Sequence, residues 1–159
     1  MDSIDREVLE EIAGSVWETV LCEGLVAADS EGSLTGGQED LEVYACSIDI
    51  RGAWEGQVSL QCPEPLARRV AAAFFKIDPD RAEASEVRDA LAEITNMFGG
   101  LLKSSLPEPS RLGLAVVEEN PTEGFRRQEA PDALAVDLTT GDFGLRLGLA
   151  GQAAEGERA

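Results

Sequence analysis

Arg88-Asp-Ala-Leu91-Ala-Glu93-Ile94-Thr-Asn96 echoes an earlier stretch, Arg6-Glu-Val-Leu9-Glu-Glu11-Ile12-Ala-Gly14, with Arg, Leu, Glu and Ile at the same offset. A second echo follows in the same order. Ser47-Ile-Asp-Ile50 resembles Ala135-Val-Asp-Leu138, and Gly56 is matched with Gly144. Common residue types echo by chance, but two echoes in one order argue for an internal duplication. A duplicated helix-plus-hairpin unit hides its apolar faces by pairing with its own copy. The expected fold is therefore α+β, with two long helices on an antiparallel β-sheet. It forms a single domain over 1–151, with halves of about 1–78 and 79–151, and a small polar tail over 152–159 that frays.

The elements follow from pattern and punctuation. Ile4, Val8, Ile12, Val16 and Val20 recur at helical spacing, with Leu9 and Leu21 widening the stripe, so 3–22 reads as a helix that Ser3 or Asp5 can cap. Leu25 to Ala28 suggests a short strand before a polar loop. Residues 41–50 have strand character, Arg51-Gly52 turns the chain, and Trp54 to Cys62 alternates as the return strand, with Pro63 ending it. Pro65 opens a short helix over 66–75. A second long helix spans 83–104 and is stopped by Pro107 and Pro109. Strands follow at 112–117, 134–138 and 143–149, the last two as a hairpin around Thr140-Gly141.

Composition limits the chemistry. With 43% hydrophobic and 28% charged residues over 159 positions, the chain is globular and large enough for a real core. No apolar run approaches the roughly 18–20 residues of a membrane span, and the acidic start Met-Asp-Ser-Ile-Asp has no signal core. Both point to the cytoplasm. The net charge of −18 makes nucleic acid and anionic membrane poor partners, and a basic or mixed-charge protein a good one. Cysteines at 22, 46 and 62 match no zinc or redox spacing and read as buried reduced thiols. There is no histidine, which removes His-based proton transfer, His-paired nucleophiles and His-ligated metals. Lysine occurs only at 76 and 103. Chemistry here falls to carboxylates, amides, hydroxyls or backbone.

The second long helix has two unlike faces. At about 100° per residue, Val87, Leu91, Ile94, Phe98, Leu101 and Leu102 fall in one arc, and Glu86, Asp89, Glu93, Asn96 and Gly100 fall opposite. Glu93 and Asn96, three apart, are neighbours on the polar side. Asn is a poor choice in a helix interior, and Gly99-Gly100 costs about 1 kcal/mol per glycine relative to Ala. A helix with these residues in mid-run either meets something closely at that point or merely tolerates a solvated Asn and two glycines packed on the sheet. Periodicity alone favours the second reading.

Asp89-Ala-Leu-Ala-Glu93-Ile-Thr-Asn96-Met-Phe-Gly99-Gly100 resembles the signature helix of the CheC/CheX/FliY chemotaxis phosphatases. That signature has Asp or Ser, then Glu four later, then Asn three later, and a proline well downstream. Asp89, Glu93 and Asn96 match it, and Pro121 matches the proline at a slightly longer interval. The stretch Gly52 to Leu60, followed by a Pro-led helix, is similar to the family's first hairpin. The resemblance implies an enzyme that removes phosphate from the phosphoaspartate of a CheY-like response regulator. Glu93 would dock against a lysine of the regulator, and Asn96 would orient the attacking water, with Asp89 and Pro121 in support. It implies no metal or cofactor of the chain's own, since the Mg2+ would belong to the regulator. It also implies that two copies of the chain can pair. The first half departs from the pattern, with Glu11 but Gly14 in place of Asn, so a single motif per chain resembles the CheX arrangement. Two other readings stay open: a non-catalytic module of the same fold that binds a regulator or a flagellar-switch-type partner, and a structural domain in which the motif is coincidental.

Overall fold

The computed structural model describes residues 5–21, 26–27, 42–119, 134–140 and 143–153. Helix α1 (Arg6–Leu21) opens at Asp5, whose Oδ1 accepts the Val8 N–H at 3.0 Å, and buries Leu9, Ala13, Val16 and Trp17. Strand β1 (Val26–Ala27) is a two-residue fragment. Strands β2 (Val43–Gly52) and β3 (Trp54–Pro63) form the first hairpin, and α2 (Glu64–Phe75) follows directly. After a 3₁₀ turn at Pro79–Arg81, helix α3 (Ala84–Lys103) starts behind Glu83, whose N–H is accepted by Glu86 Oε1 at 2.9 Å. Strands β4 (Ser110–Glu119), β5 (Leu134–Thr140) and β6 (Phe143–Ala153) complete the chain.

The six strands lie in the order β1-β5-β6-β3-β2-β4, with every neighbouring pair antiparallel. Exchanging β1 with β4, β2 with β5 and β3 with β6 returns the same order read backwards. This is the topology of a duplicated unit related by an approximate two-fold axis between β3 and β6. The first strand of each half pairs with the hairpin of the other, β4 on β2 and β1 on β5, so the copies are interlocked. Alternation along the strands sends Cys46, Ile48 and Ile50, then Val58, Leu60 and Cys62, and on the other side Val136, Leu138, Leu145 and Leu147, into one core with the helices. α1 packs on β5 as α3 packs on β2. The opposite face of the sheet carries Asp49, Gln57 and the ion pair of Asp137 with Arg146, at 2.6 Å.

Three details correct the expectations. The strand pairing sets Gly56 opposite Ile50 but Leu145 opposite Leu138, so the counterpart of Gly56 is Leu145 and not Gly144. The second hairpin is out of step with the first by one residue. β6 runs through Ala153, with Gly151, Gln152 and Ala153 paired to Gly56, Glu55 and Trp54, so 152 and 153 are strand where a tail was expected, and 154–159 lie outside the described residues. The helix over 66–75 starts two residues earlier, because Pro63 in an extended conformation leads straight into Glu64. The turn at Gly52 has φ 126°, and a Cβ there would strike the Pro109 carbonyl, whose oxygen accepts the Ala53 N–H at 2.8 Å. That contact holds the loop after α3 against the first hairpin.

Candidate functional site: the outer face of α3

What fixes the exposed face of α3 is the way its other face is seated. Val87, Ala90, Leu91, Ile94, Phe98 and Leu102 are buried at 2% exposure or less. Thr95 is buried among them, its hydroxyl donating to the Leu91 carbonyl at 2.7 Å and lying beside the Cys46 thiol of β2. Gly99 lets the helix lie close to β4 and β3: a Cβ there would stand 3.3 Å from both Leu112 methyls and 3.6 Å from Val58. Near the other end, the Arg88 guanidinium donates to Glu119 at 2.8 and 3.1 Å and to the Val117 carbonyl at 3.2 Å, tying α3 to the end of β4. Contacts on three sides therefore set the rotation of the helix about its axis.

With that rotation, Asp89, Glu93, Asn96 and Gly100 are all exposed. On a helix, positions three apart put their Cβ atoms about 5–6 Å from one another, so the Glu93 carboxylate and the Asn96 amide form one polar patch. Among the described residues, no hydrogen bond or ion pair engages either side chain. Neither group is committed to another described residue. A carboxylate is an acceptor suited to a cation, whereas an amide donates and accepts at once and can hold a water in a fixed direction without being a base. Asp89 sits one turn before Glu93. Pro121 lies outside the described residues. No cluster of acidic and thiol groups able to hold a metal occurs among the described residues.

One core assignment is corrected: Leu101 is 44% exposed. Burial at this end of α3 shifts toward Gly99, against Leu112, and Leu101 is on the other flank. In the first half, Glu11 is exposed and Gly14 half-buried at the positions of Glu93 and Asn96, so α1 has the carboxylate without the amide. Cys46 and Cys62 are buried and free, as expected. Burial raises both thiols, Cys62 to about 12, and Thr95 only partly offsets this at Cys46. Both stay protonated and unreactive at neutral pH. Cys22 lies outside the described residues. The Arg88 tie was not anticipated, since its partners are some thirty residues away along the chain and nothing local signals them.

The fold, two related helices on an antiparallel six-stranded sheet, matches solved structures of chemotaxis proteins. CheX from Vibrio vulnificus superposes with a TM-score of 0.70 at 18% identity, covering 96% of this chain and 100% of that one. CheX in the CheX–CheY–BeF3–Mg2+ complex from Borrelia burgdorferi gives 0.66 at 15% identity, covering 92% and 96%. FliY from Thermotoga maritima gives 0.55 at 14% identity, covering 98% and 93%. No curated protein matches the sequence. The family model for the chemotaxis phosphatase CheX matches residues 44–127, more than half of the chain, and the chain belongs to that family.

Proposed function

We propose that this protein shortens the life of the phosphoaspartate on a CheY-like response regulator. The observation that carries the reading is the uncommitted Glu93–Asn96 pair, presented on a rigidly seated helix in a chain of the CheX family. Glu93 contacts a lysine beside the regulator's phosphorylation site. Asn96 enters next to the phosphoryl group and holds a water in line with the phosphorus. Catalysis of this kind is positioning, and a chain without histidine can supply it. The substrate is another protein's surface, which accounts for a site on an open helix face. Magnesium comes with the regulator; in the Borrelia burgdorferi complex CheX is seen with CheY, BeF3 and Mg2+.

Among the described residues no helix is long and apolar enough to cross a membrane, and a cytoplasmic place beside the regulator fits the reading. Pairing with a second copy has its best surface on the edge strand β4, where Leu114 and Val116 are 90% and 58% exposed; sedimentation of wild type against a Leu114→Lys variant tests it. The main reading is tested by the lifetime of a phosphorylated regulator with and without the protein. Shortening by the wild type supports it. Binding of the activated regulator with no change in lifetime replaces the enzyme with a docking module.

A further inference from the structure

The two adjacent glycines of α3 have different explanations. Adjacent glycines weaken a helix, and Gly99 is accounted for by its approach to Leu112 and Val58. Gly100 is not. It is exposed, and a Cβ built on it meets nothing within 4 Å, so nothing among the described residues requires glycine there. What lies nearby is Asn96, one turn earlier on the same face. Helical Cα–Cβ bonds tilt toward the N-terminus, and a side chain covers the turn that precedes its own Cα. Any side chain at 100 would therefore lean over the Asn96 amide. Gly100 also forms one wall of an open groove of about 550 Å3 that continues to Ser104, Pro109, Ser110 and Leu112. Bare surface thus runs from the amide into a hollow.

We propose that Gly100 is a clearance residue: it keeps the approach to Asn96 open so that the loop carrying the phosphoaspartate can come within hydrogen-bond distance of the amide. This inference rests on the phosphatase reading. Gly100 acts through Asn96 and touches no reacting atom, which makes it a positioning residue. The helix cost of the glycine is then kept for function and not for packing.

The test uses the full chain with Gly100→Ala and Gly100→Leu, read by thermal unfolding and by regulator-phosphate lifetime over a range of phosphatase concentrations. Thermal stability should hold or improve, with Gly100→Ala raising Tm by about 2–4 °C. Activity should fall with side-chain size: modestly for Ala, tenfold or more for Leu, mainly as a raised KM because close approach is what is lost. A purely structural glycine would lower Tm along with activity, and that result overturns the proposal. A Gly100→Leu protein as active as an active wild type overturns it while leaving the phosphatase reading intact. A wild type that does not shorten the lifetime removes both.

Discussion

The two halves of this molecule share a scaffold and differ in what they show to solvent. On the buried side the match is close: Leu9 and Leu91, Ala13 and Thr95, Val16 and Phe98 occupy corresponding buried positions of α1 and α3. The strands agree as well, with Ile48 and Val136, Ile50 and Leu138 in equivalent buried places. On the outside the halves part. Glu11 keeps the place of Glu93, but Gly14 stands for Asn96 and Glu18 for Gly100. Packing holds both copies to one pattern because each must close the same sheet. An exposed position carries no such constraint, so a site that needs one copy per molecule can be lost from the other at little cost in stability.

The sharpest break in the comparison is the amide. Asn96→Ala should abolish the acceleration of phosphoaspartate hydrolysis, a loss of at least about a hundredfold if water positioning supplies the rate. The fold should be unharmed, since exposed Asn→Ala in a helix is neutral or stabilising by up to about 0.7 kcal/mol. Regulator-phosphate lifetime, at matched concentrations of folded protein, checks both statements. An Asn96→Ala protein as active as wild type would end the water-positioning role.

A second contrast lies on the sheet. Asp49 and Asp137 occupy the same place in their hairpins, opposite Gln57 and Arg146. Asp49 is exposed and meets Gln57 at only 3.4 Å, while Asp137 holds the buried Arg146 with bonds of 2.6 and 3.0 Å. Asp137→Ala should cost about 2–3 kcal/mol, because a buried guanidinium loses its carboxylate. Asp49→Ala should change stability by less than about 0.5 kcal/mol. Urea denaturation of the two variants decides whether the halves differ in this way, and equal midpoints would refute it.

A smaller effect is expected at Glu93. Its proposed contact is a single charge pair at the edge of an interface, so Glu93→Ala should weaken capture of the activated regulator about tenfold. Titration with a beryllofluoride-activated regulator measures this. The effect should shrink as salt rises, because the pair is exposed to solvent. A salt-independent loss would point to packing and not to charge.

Much of this is legible in the sequence. Apolar residues at helical spacing, caps and prolines announced both long helices, whose observed ends lie within a few residues of those expected. The exposed set Asp89, Glu93, Asn96 and Gly100 followed from helical arithmetic alone. What was not legible depends on the placement of the sheet. Leu101 falls in the apolar arc but lies on the flank away from β4, and Gly99 takes its place in the core because Leu112 is there to meet it. The Arg88–Glu119 tie joins elements that only the fold brings together. The one-residue offset between the hairpins hid the true partner of Gly56, since pairing register is a property of two strands and not of one.

The smallest expected effect is also the most informative about the comparison. If the halves differ functionally only in their surfaces, the first half should be repairable. No described residue stands within 4 Å of a Cβ at Gly14, so Gly14→Asn should fold and even gain helix propensity. Glu11 is already exposed in the place of Glu93. Yet Gly14→Asn alone should add no activity: Glu18 is exposed one turn later, and a helical side chain covers the turn before its own Cα, which would bring a negative charge toward an anionic phosphoryl group. The double variant Gly14→Asn with Glu18→Gly removes that obstruction and recreates both the amide and its clearance. Two equivalent sites would at most double the rate per chain, so the gain over wild type is small. It becomes measurable when Asn96→Ala silences the original site and any remaining activity belongs to α1. Activity in the triple variant, with none in Gly14→Asn plus Asn96→Ala, would show that amide and clearance are both required. Activity in Gly14→Asn plus Asn96→Ala without the change at Glu18 would show that the amide suffices, and would count against the role given to Gly100.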